Sequence, residues 1–170
     1  MTSHVHADAA AIAQAIDRLA AEIAARHPQP PVLVGIRTNG VPLAQRLSAA
    51  LGGCETGAID ITLYRDDLQG RALPQVLGSD IPGDIEGKRV ILVDDVLYTG
   101  RTVRSALIEL ADYGRPQRVE LCVLVDRGLR ELPIAADYVG IRLETRSGDH
   151  VKVELLESGA GHDAVLLRRA

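Results

Sequence analysis

The stretch Val90-Ile91-Leu92-Val93-Asp94-Asp95-Val96-Leu97-Tyr98-Thr99-Gly100-Arg101-Thr102 holds the residue types best suited to chemistry. Four aliphatic side chains run into two adjacent carboxylates, Asp94 and Asp95. Like charges side by side are costly unless cations or hydroxyl donors meet them. The turn from Tyr98 to Thr102 then offers backbone N–H groups at the start of a helix, a Gly that lets a ligand come close, and two Thr hydroxyls. A phosphate monoester needs these donors, and each charge-assisted hydrogen bond in such a cradle contributes about 1.5–3 kcal/mol. An acid pair followed by a phosphate cradle describes a ribose 5-phosphate site, with the sugar diol on the carboxylates and the phosphate on the turn. The loop lacks the Gly-Lys-Ser/Thr ending of a Walker loop and the Gly-x-Gly-x-x-Gly of a dinucleotide fingerprint. A ligand-free acidic loop ahead of a Thr-capped helix explains the cap, but not two consecutive aspartates behind an apolar strand.

Such a loop needs a strand before it and a helix after it. Residues 89–93 read as a strand buried on both faces, 94–100 as loop, and 101–113 as a helix whose inward stripe is Val103, Ala106, Leu107 and Leu110. Gly114 and Pro116 end that helix, and residues 119–125 supply the next strand of a βαβ unit. Upstream, Ile12, Ile16, Leu19 and Ile23 recur at helical spacing and predict a helix over 8–26, with Asp8 as its N-cap. Residues 32–36 read as a short buried strand, Arg37-Thr38-Asn39-Gly40 as a turn, and 42–52 as a helix with Pro42 in its first turn. Residues 58–64 predict another strand. Residues 65–87, rich in Gly and Pro, predict a long functional loop. A short strand is expected near 138–141, with two late apolar runs at 151–156 and 164–167. Strands alternating with helices predict an α/β fold with a central, mostly parallel sheet flanked by helices, and ligands beyond the strand carboxyl ends. No repeat or linker divides residues 1–170, which read as a single domain.

Composition narrows the function classes. The chain is 46% hydrophobic and 25% charged, with no Phe or Trp and four Tyr, so Val, Leu, Ile and Ala must build the core. A net charge of −4 gives no global argument for nucleic acid. No apolar run approaches a membrane span, and no secretory signal opens the chain; a cytoplasmic location is expected. Cys54 and Cys122 form no zinc or redox motif, and Cys122 reads as a buried, inert thiol.

The acid-pair segment closely resembles the thirteen-residue signature for 5-phosphoribosyl-1-pyrophosphate (PRPP) of type I phosphoribosyltransferases. Further phrases resemble one branch of them, the PyrR family of bacterial pyrimidine-operon attenuators with uracil phosphoribosyltransferase activity. These are Ile59-Asp60-Ile61-Thr62-Leu63-Tyr64-Arg65-Asp66-Asp67-Leu68, Val123-Leu124-Val125-Asp126-Arg127-Gly128, Arg130-Glu131-Leu132-Pro133-Ile134 and Ala136-Asp137-Tyr138-Val139-Gly140. The resemblance implies the type I phosphoribosyltransferase fold, with a small hood formed mainly by about 126–170 and the N-terminal segment. It implies conversion of uracil and PRPP to UMP and pyrophosphate with Mg²⁺, held through PRPP and by Asp94 and Asp95. On that pattern Asp94 and Asp95 hold the ribose hydroxyls, Val96 and Leu97 lead into the loop, and Tyr98, Thr99, Gly100, Arg101 and Thr102 anchor the 5-phosphate. Thr38, Asn39 and Gly40 match the pyrophosphate loop, where the family's usual Thr-Arg-Gly has lost its Arg to Asn39; Mg²⁺ and Arg37 are the compensating cations. Arg65 is a phosphate contact on a flap over residues 65–87, and Arg127 and Val151 border the base.

The same resemblance implies homo-oligomers and an mRNA leader as partner, bound on a basic face of the first helix and the segment after Asp126. This chain keeps Arg18, Arg26 and Arg130 there. It carries Ala13, Gln14, Asp17, Ala21, Leu129 and Ala135 where basic or hydrogen-bonding residues are usual. The RNA face reads as eroded. Two rival readings stand beside the uracil enzyme: an RNA-binding attenuator with vestigial catalysis, and a phosphoribosyltransferase for a purine base.

Overall fold

The computed structural model describes residues 3–65 and 75–170. Strand β1 (Ser3–Ala7) is followed by helix α1 (Ala9–Arg26), β2 (Val32–Ile36), α2 (Gly40–Ala50) and β3 (Thr56–Ile59). Then come β4 (Arg89–Leu97), α3 (Arg101–Leu110), β5 (Arg118–Asp126), β6 (Tyr138–Arg142), β7 (His150–Glu154) and β8 (Ala164–Arg168). Five strands form a parallel sheet in the order β3-β2-β4-β5-β6. The other three form an antiparallel sheet in the order β1-β8-β7.

Strand alternation assigns the large sheet's two faces. Ile91 and Val93 point into the cluster made with α1 and α2, whereas Val90 and Leu92 point into the cluster made with α3. None of the four is more than 1% exposed. Helix α1 buries Ile12, Ala15, Ile16, Leu19, Ala20 and Ile23, and the Asp8 carboxylate caps it by accepting from the Ala11 N–H at 2.9 Å. Val153, Leu155 and Val165 of the small sheet and its following turn join the α1–α2 cluster, so one core continues beneath both sheets. Cys122 is 1% exposed, and burial pushes its thiol up to about 12.

Several expectations need correction. Strand β4 runs through Asp94-Asp95-Val96 to Leu97 rather than ending at Val93. The cause is β5, which keeps pairing alongside it (Asp94 with Val123, Val96 with Val125) after β2 has ended opposite Val93. The strand expected over 58–64 stops at Ile59. There the Asp60 carboxylate accepts from the Thr62 N–H and hydroxyl, which bends the chain into a 3₁₀ turn over Thr62–Tyr64. Leu107 is 39% exposed and lies outside α3's buried stripe. Strand β1 had no apolar pattern to announce it, because the first four of its five residues are exposed and β8 alone pairs with it.

Candidate active site

At the carboxyl end of the large sheet, β4 runs four residues past its last pair with β2, and the acid pair sits on that overhang. A cavity of about 370 Å³ opens there, walled by Arg37, Thr38, Asn39, Arg65, Asp94, Asp95, Val96 and Thr102, with Asp60, Ile61, Thr62, Gln75 and Leu77. Larger cavities of about 850 and 570 Å³ lie beside Asp149 and beside Lys88. Neither holds paired carboxylates or a helix start.

The two aspartates are not equivalent. Asp94 is 7% exposed and Asp95 half-buried, so the pair is not the exposed one that a loop would have carried. Burial, with the neighbouring Asp95 charge, pushes the Asp94 carboxyl well above its usual range. Asp94 Oδ1 accepts from the Asp95 N–H at 2.9 Å, and Asp95 Oδ1 accepts from the Val96 N–H at 2.8 Å. Asp95 Oδ2 accepts from Asn39 Nδ2 at 2.8 Å.

Asn39 reaches this carboxylate because the chain crosses tightly. A Cβ on Gly40 would collide with the Val93 carbonyl oxygen, and one on Gly35 with Gly40's backbone. Only glycine lets the 37–40 turn sit down on β4. The Arg37–Thr38 peptide is cis. Arg37 Nε donates to the Gly78 carbonyl at 2.8 Å, which ties this turn to the segment over 75–80. That segment is fastened again by Asp60, which accepts from the Leu77 and Gly78 N–H groups at 2.6 and 2.9 Å, and by Asp80, which bridges to Ala58. Burial would raise the Asp60 carboxyl, but these hydrogen bonds and those from Thr62 outweigh it and hold it low. Sequence reasoning passed over Asp60 as a site residue; its signal was a lone acid between Ile59 and Ile61. Residues 66–74, the centre of the expected flap, lie outside the described residues.

Beyond the overhang, Gly100 takes φ 94° ahead of α3, a left-handed conformation that glycine tolerates best. Thr99 Oγ1 accepts from the Arg101 N–H at 3.3 Å, while Arg101 pairs with Glu131 at 2.9 Å. Leu97, expected among the PRPP residues, is 2% exposed and faces the α3-side core; its carbonyl is taken by the Arg127 N–H.

Comparison with known proteins gives this architecture a family. Residues 6–158 match the model of the phosphoribosyl transferase domain. The Bifunctional protein PyrR of Chloroflexus aurantiacus is 52% identical, over 92% of this chain and 91% of the relative. That of Enterococcus faecalis is 47% identical, over 95% and 94%. The chain belongs to the PyrR family of phosphoribosyltransferases. In fold it also matches the hypoxanthine phosphoribosyltransferase of Trypanosoma cruzi, with a TM-score of 0.73 and 22% identity over 98% of this chain and 97% of that one. That likeness carries the type I fold alone.

For a PyrR-family chain, the remaining sequence-predicted residues fall into two places. Arg127 is 5% exposed and buried beneath the loop: its guanidinium lies 4.0 Å from the Tyr98 ring centroid and donates to Thr145 Oγ1 and the Asp149 carbonyl. Val151, half-buried on β7, follows two residues after that carbonyl. Arg130, expected on an RNA face, instead turns inward. It donates to the Tyr98 carbonyl at 2.9 Å and the Ile134 carbonyl at 3.0 Å, and pairs with Asp126 at 2.7 Å. Its donors are spent on the Tyr98, Gly128 and Ile134 carbonyls and on Asp126. Arg18 donates to the Gly140 carbonyl, and Arg26 to the Asp137 carbonyl while lying over the Tyr138 ring. Neither lies near the cavity.

Proposed function

We propose that this protein is a uracil phosphoribosyltransferase, converting uracil and PRPP to UMP and pyrophosphate. One observation carries the reading. The acid pair on the β4 overhang shares a cavity with Arg37, Thr38 and Asn39 and with Thr102 of the first turn of α3, so one extended ligand can reach all three. The diol would lie on Asp94 and Asp95, and the 5-phosphate on the N–H groups and hydroxyls of Tyr98 to Thr102. The pyrophosphate would meet Thr38, Asn39 and Gly40, with Arg37 and Arg65 on the same wall. The base would lie toward Arg127 and Val151, with the small sheet as its hood.

Breaking the bond at the anomeric carbon builds oxocarbenium character on the ribose. Burial and the neighbouring Asp95 charge raise the Asp94 carboxyl, so a diol or a cation arriving at the pair would relieve the cost of two adjacent carboxylates. Among the described residues, no three carboxylate, His or Cys groups converge on a cation. Mg²⁺ would therefore take most of its oxygens from PRPP, with Asp95 and Asp94 nearest among the protein donors. When bound it would supply charge neutralisation for the leaving pyrophosphate.

The reading on RNA follows from the same side chains. Arg130 is committed to carbonyls and to Asp126, while Ala13, Gln14, Asp17 and Ala21 leave Arg18 and Arg26 as the cations on α1's exposed face. This supports a transferase whose leader-RNA binding is weak. The deciding experiment measures UMP formation from labelled uracil with PRPP and Mg²⁺, in competition with hypoxanthine and guanine. UMP formed in preference to purine nucleotides is the expected result; preference for a purine base would overturn the assignment.

A further inference from the structure

Asn39 is a side chain of the large sheet's loop that also touches the small sheet. Its Nδ2 donates to Asp95 Oδ2 at 2.8 Å and to the Val153 carbonyl at 3.1 Å, and its Oδ1 accepts from Ser158 Oγ at 2.5 Å. An amide has two N–H donors and one carbonyl acceptor, and all are engaged. The orientation is fixed by chemistry, since the flipped amide would set its oxygen against a carboxylate and a carbonyl. Asp95 is thereby held through both oxygens, one by its own strand at Val96 and the other by Asn39.

Ser158 is exposed, yet it is not loosely placed. It ends the 3₁₀ turn Leu156–Ser158, closed by the Ser158 N–H to the Leu155 carbonyl at 3.0 Å and the Gly159 N–H to the Leu156 carbonyl at 3.0 Å. Arg46 of α2 grips this turn and the residue ahead of β8, pairing with Glu157 at 2.5 Å and Asp163 at 2.6 Å. Asp163 in turn accepts from the Leu156 N–H at 3.0 Å. Helix α2 begins immediately after Asn39, so one rigid element locates both partners of the Ser158–Asn39 contact.

We propose that Ser158 is a positioning residue of the PRPP site: through Asn39 it orients Asp95, so that this carboxylate is fully set only when the small sheet is seated. The proposal rests on the transferase reading above. It makes the β7–β8 side of the molecule, which carries Val151 toward the base, report to the carboxylate that meets the ribose.

The test is calorimetric titration of PRPP with Mg²⁺ into wild type, Ser158→Ala, Ser158→Thr, Asn39→Ala and the double variant Asn39→Ala/Ser158→Ala, with uracil turnover and melting temperature measured on each. Loss of one hydrogen bond to the amide should weaken PRPP binding about three- to tenfold in Ser158→Ala. Threonine, which keeps the hydroxyl, should restore affinity, and melting temperatures should stay together. In the Asn39→Ala background, Ser158→Ala should cost nothing more. Wild-type affinity in Ser158→Ala overturns the proposal, as does an undiminished cost of that change once Asn39 is gone. A wild type that binds PRPP but does not use uracil removes the uracil reading and leaves this one standing. A wild type that does not bind PRPP removes both.

Discussion

Replacing Asp94 by Asn should make the protein more stable while making it inactive, and the two effects have one origin. Asp94 is 7% exposed, next to a second carboxylate, and accepts a hydrogen bond from the Asp95 N–H. Its folded-state affinity for a proton is therefore raised above that of the unfolded chain. A raised carboxyl favours folding below the unfolded value of about 3.9, and that contribution is lost as pH climbs toward the folded value. Asparagine has the same shape and no charge at any pH. The gap between variant and wild type should thus be near zero in acid and open toward neutral pH. Relief of a functionally strained site contributes about 0.5–2 kcal/mol, and in a chain of this size each kcal/mol moves Tm by about 2–4 °C. Differential scanning calorimetry of both proteins across pH reads the gap, and UMP formation should fall at least about 100-fold. A lower Tm for Asp94→Asn at neutral pH, or a gap that widens in acid, would refute the burial argument. Turnover within a few-fold of wild type would refute the assignment of the pair.

Gly100→Ala should weaken PRPP binding at least tenfold in calorimetry and lower stability, because φ 94° costs a side chain about 1–2 kcal/mol and its Cβ would stand 3.0 Å from Ile134 Cγ1; unchanged affinity rules out a close phosphate approach. Arg130→Met should cost about 1–3 kcal/mol in urea denaturation, since it strips donors from the Tyr98 and Ile134 carbonyls and the partner from Asp126; an unaltered midpoint would return Arg130 to the surface. Filter binding at matched salt should show a pyrimidine-operon leader hairpin held weakly, with Asp17→Thr, Ala21→His, Leu129→His and Ala135→Arg together raising affinity. Of these, Ala135→Arg alone adds a permanent charge and should steepen the salt slope by about one phosphate contact; nanomolar binding by the unmodified chain at physiological salt would refute the eroded face.

What the sequence disclosed, it disclosed through periodicity and local chemistry. The stripe of α1 and the apolar run of β4 are local, and each led to the element found; the Asp-Asp to Thr-Gly-Arg-Thr order, equally local, marks the segment on which the proposed site rests. The misses share a different character. Asp94, placed in a loop, belongs to a strand because β5 runs alongside it, and pairing with a distant strand leaves no mark on the residues paired. Tyr64 follows the alternating Ile59-Asp60-Ile61-Thr62-Leu63, a strand pattern, while the bend is made by one Asp60 side chain turning back on Thr62. Arg130 has the composition of an RNA contact, and only its three-dimensional neighbours show its donors already committed.

Asn39 shows most clearly why a substitution read as a loss can be part of a different arrangement. By charge alone, Asn in place of the family's Arg subtracts a cation from the pyrophosphate loop. By hydrogen-bond inventory the two side chains differ in another respect: a guanidinium has donors and no acceptor, whereas a carboxamide has both. An arginine at position 39 could donate to Asp95 and to the Val153 carbonyl, but it could not receive the Ser158 hydroxyl. The acceptor that Asn39 provides takes the Ser158 hydroxyl proton, beside the bond its amide already donates to the Val153 carbonyl of the small sheet. With Arg37 on the same cavity wall, the positive charge of this corner sits two residues upstream of where the family's pattern would put it. The corner has exchanged a charge at position 39 for a fixed amide between two sheets, and orientation of Asp95 is the physical consequence.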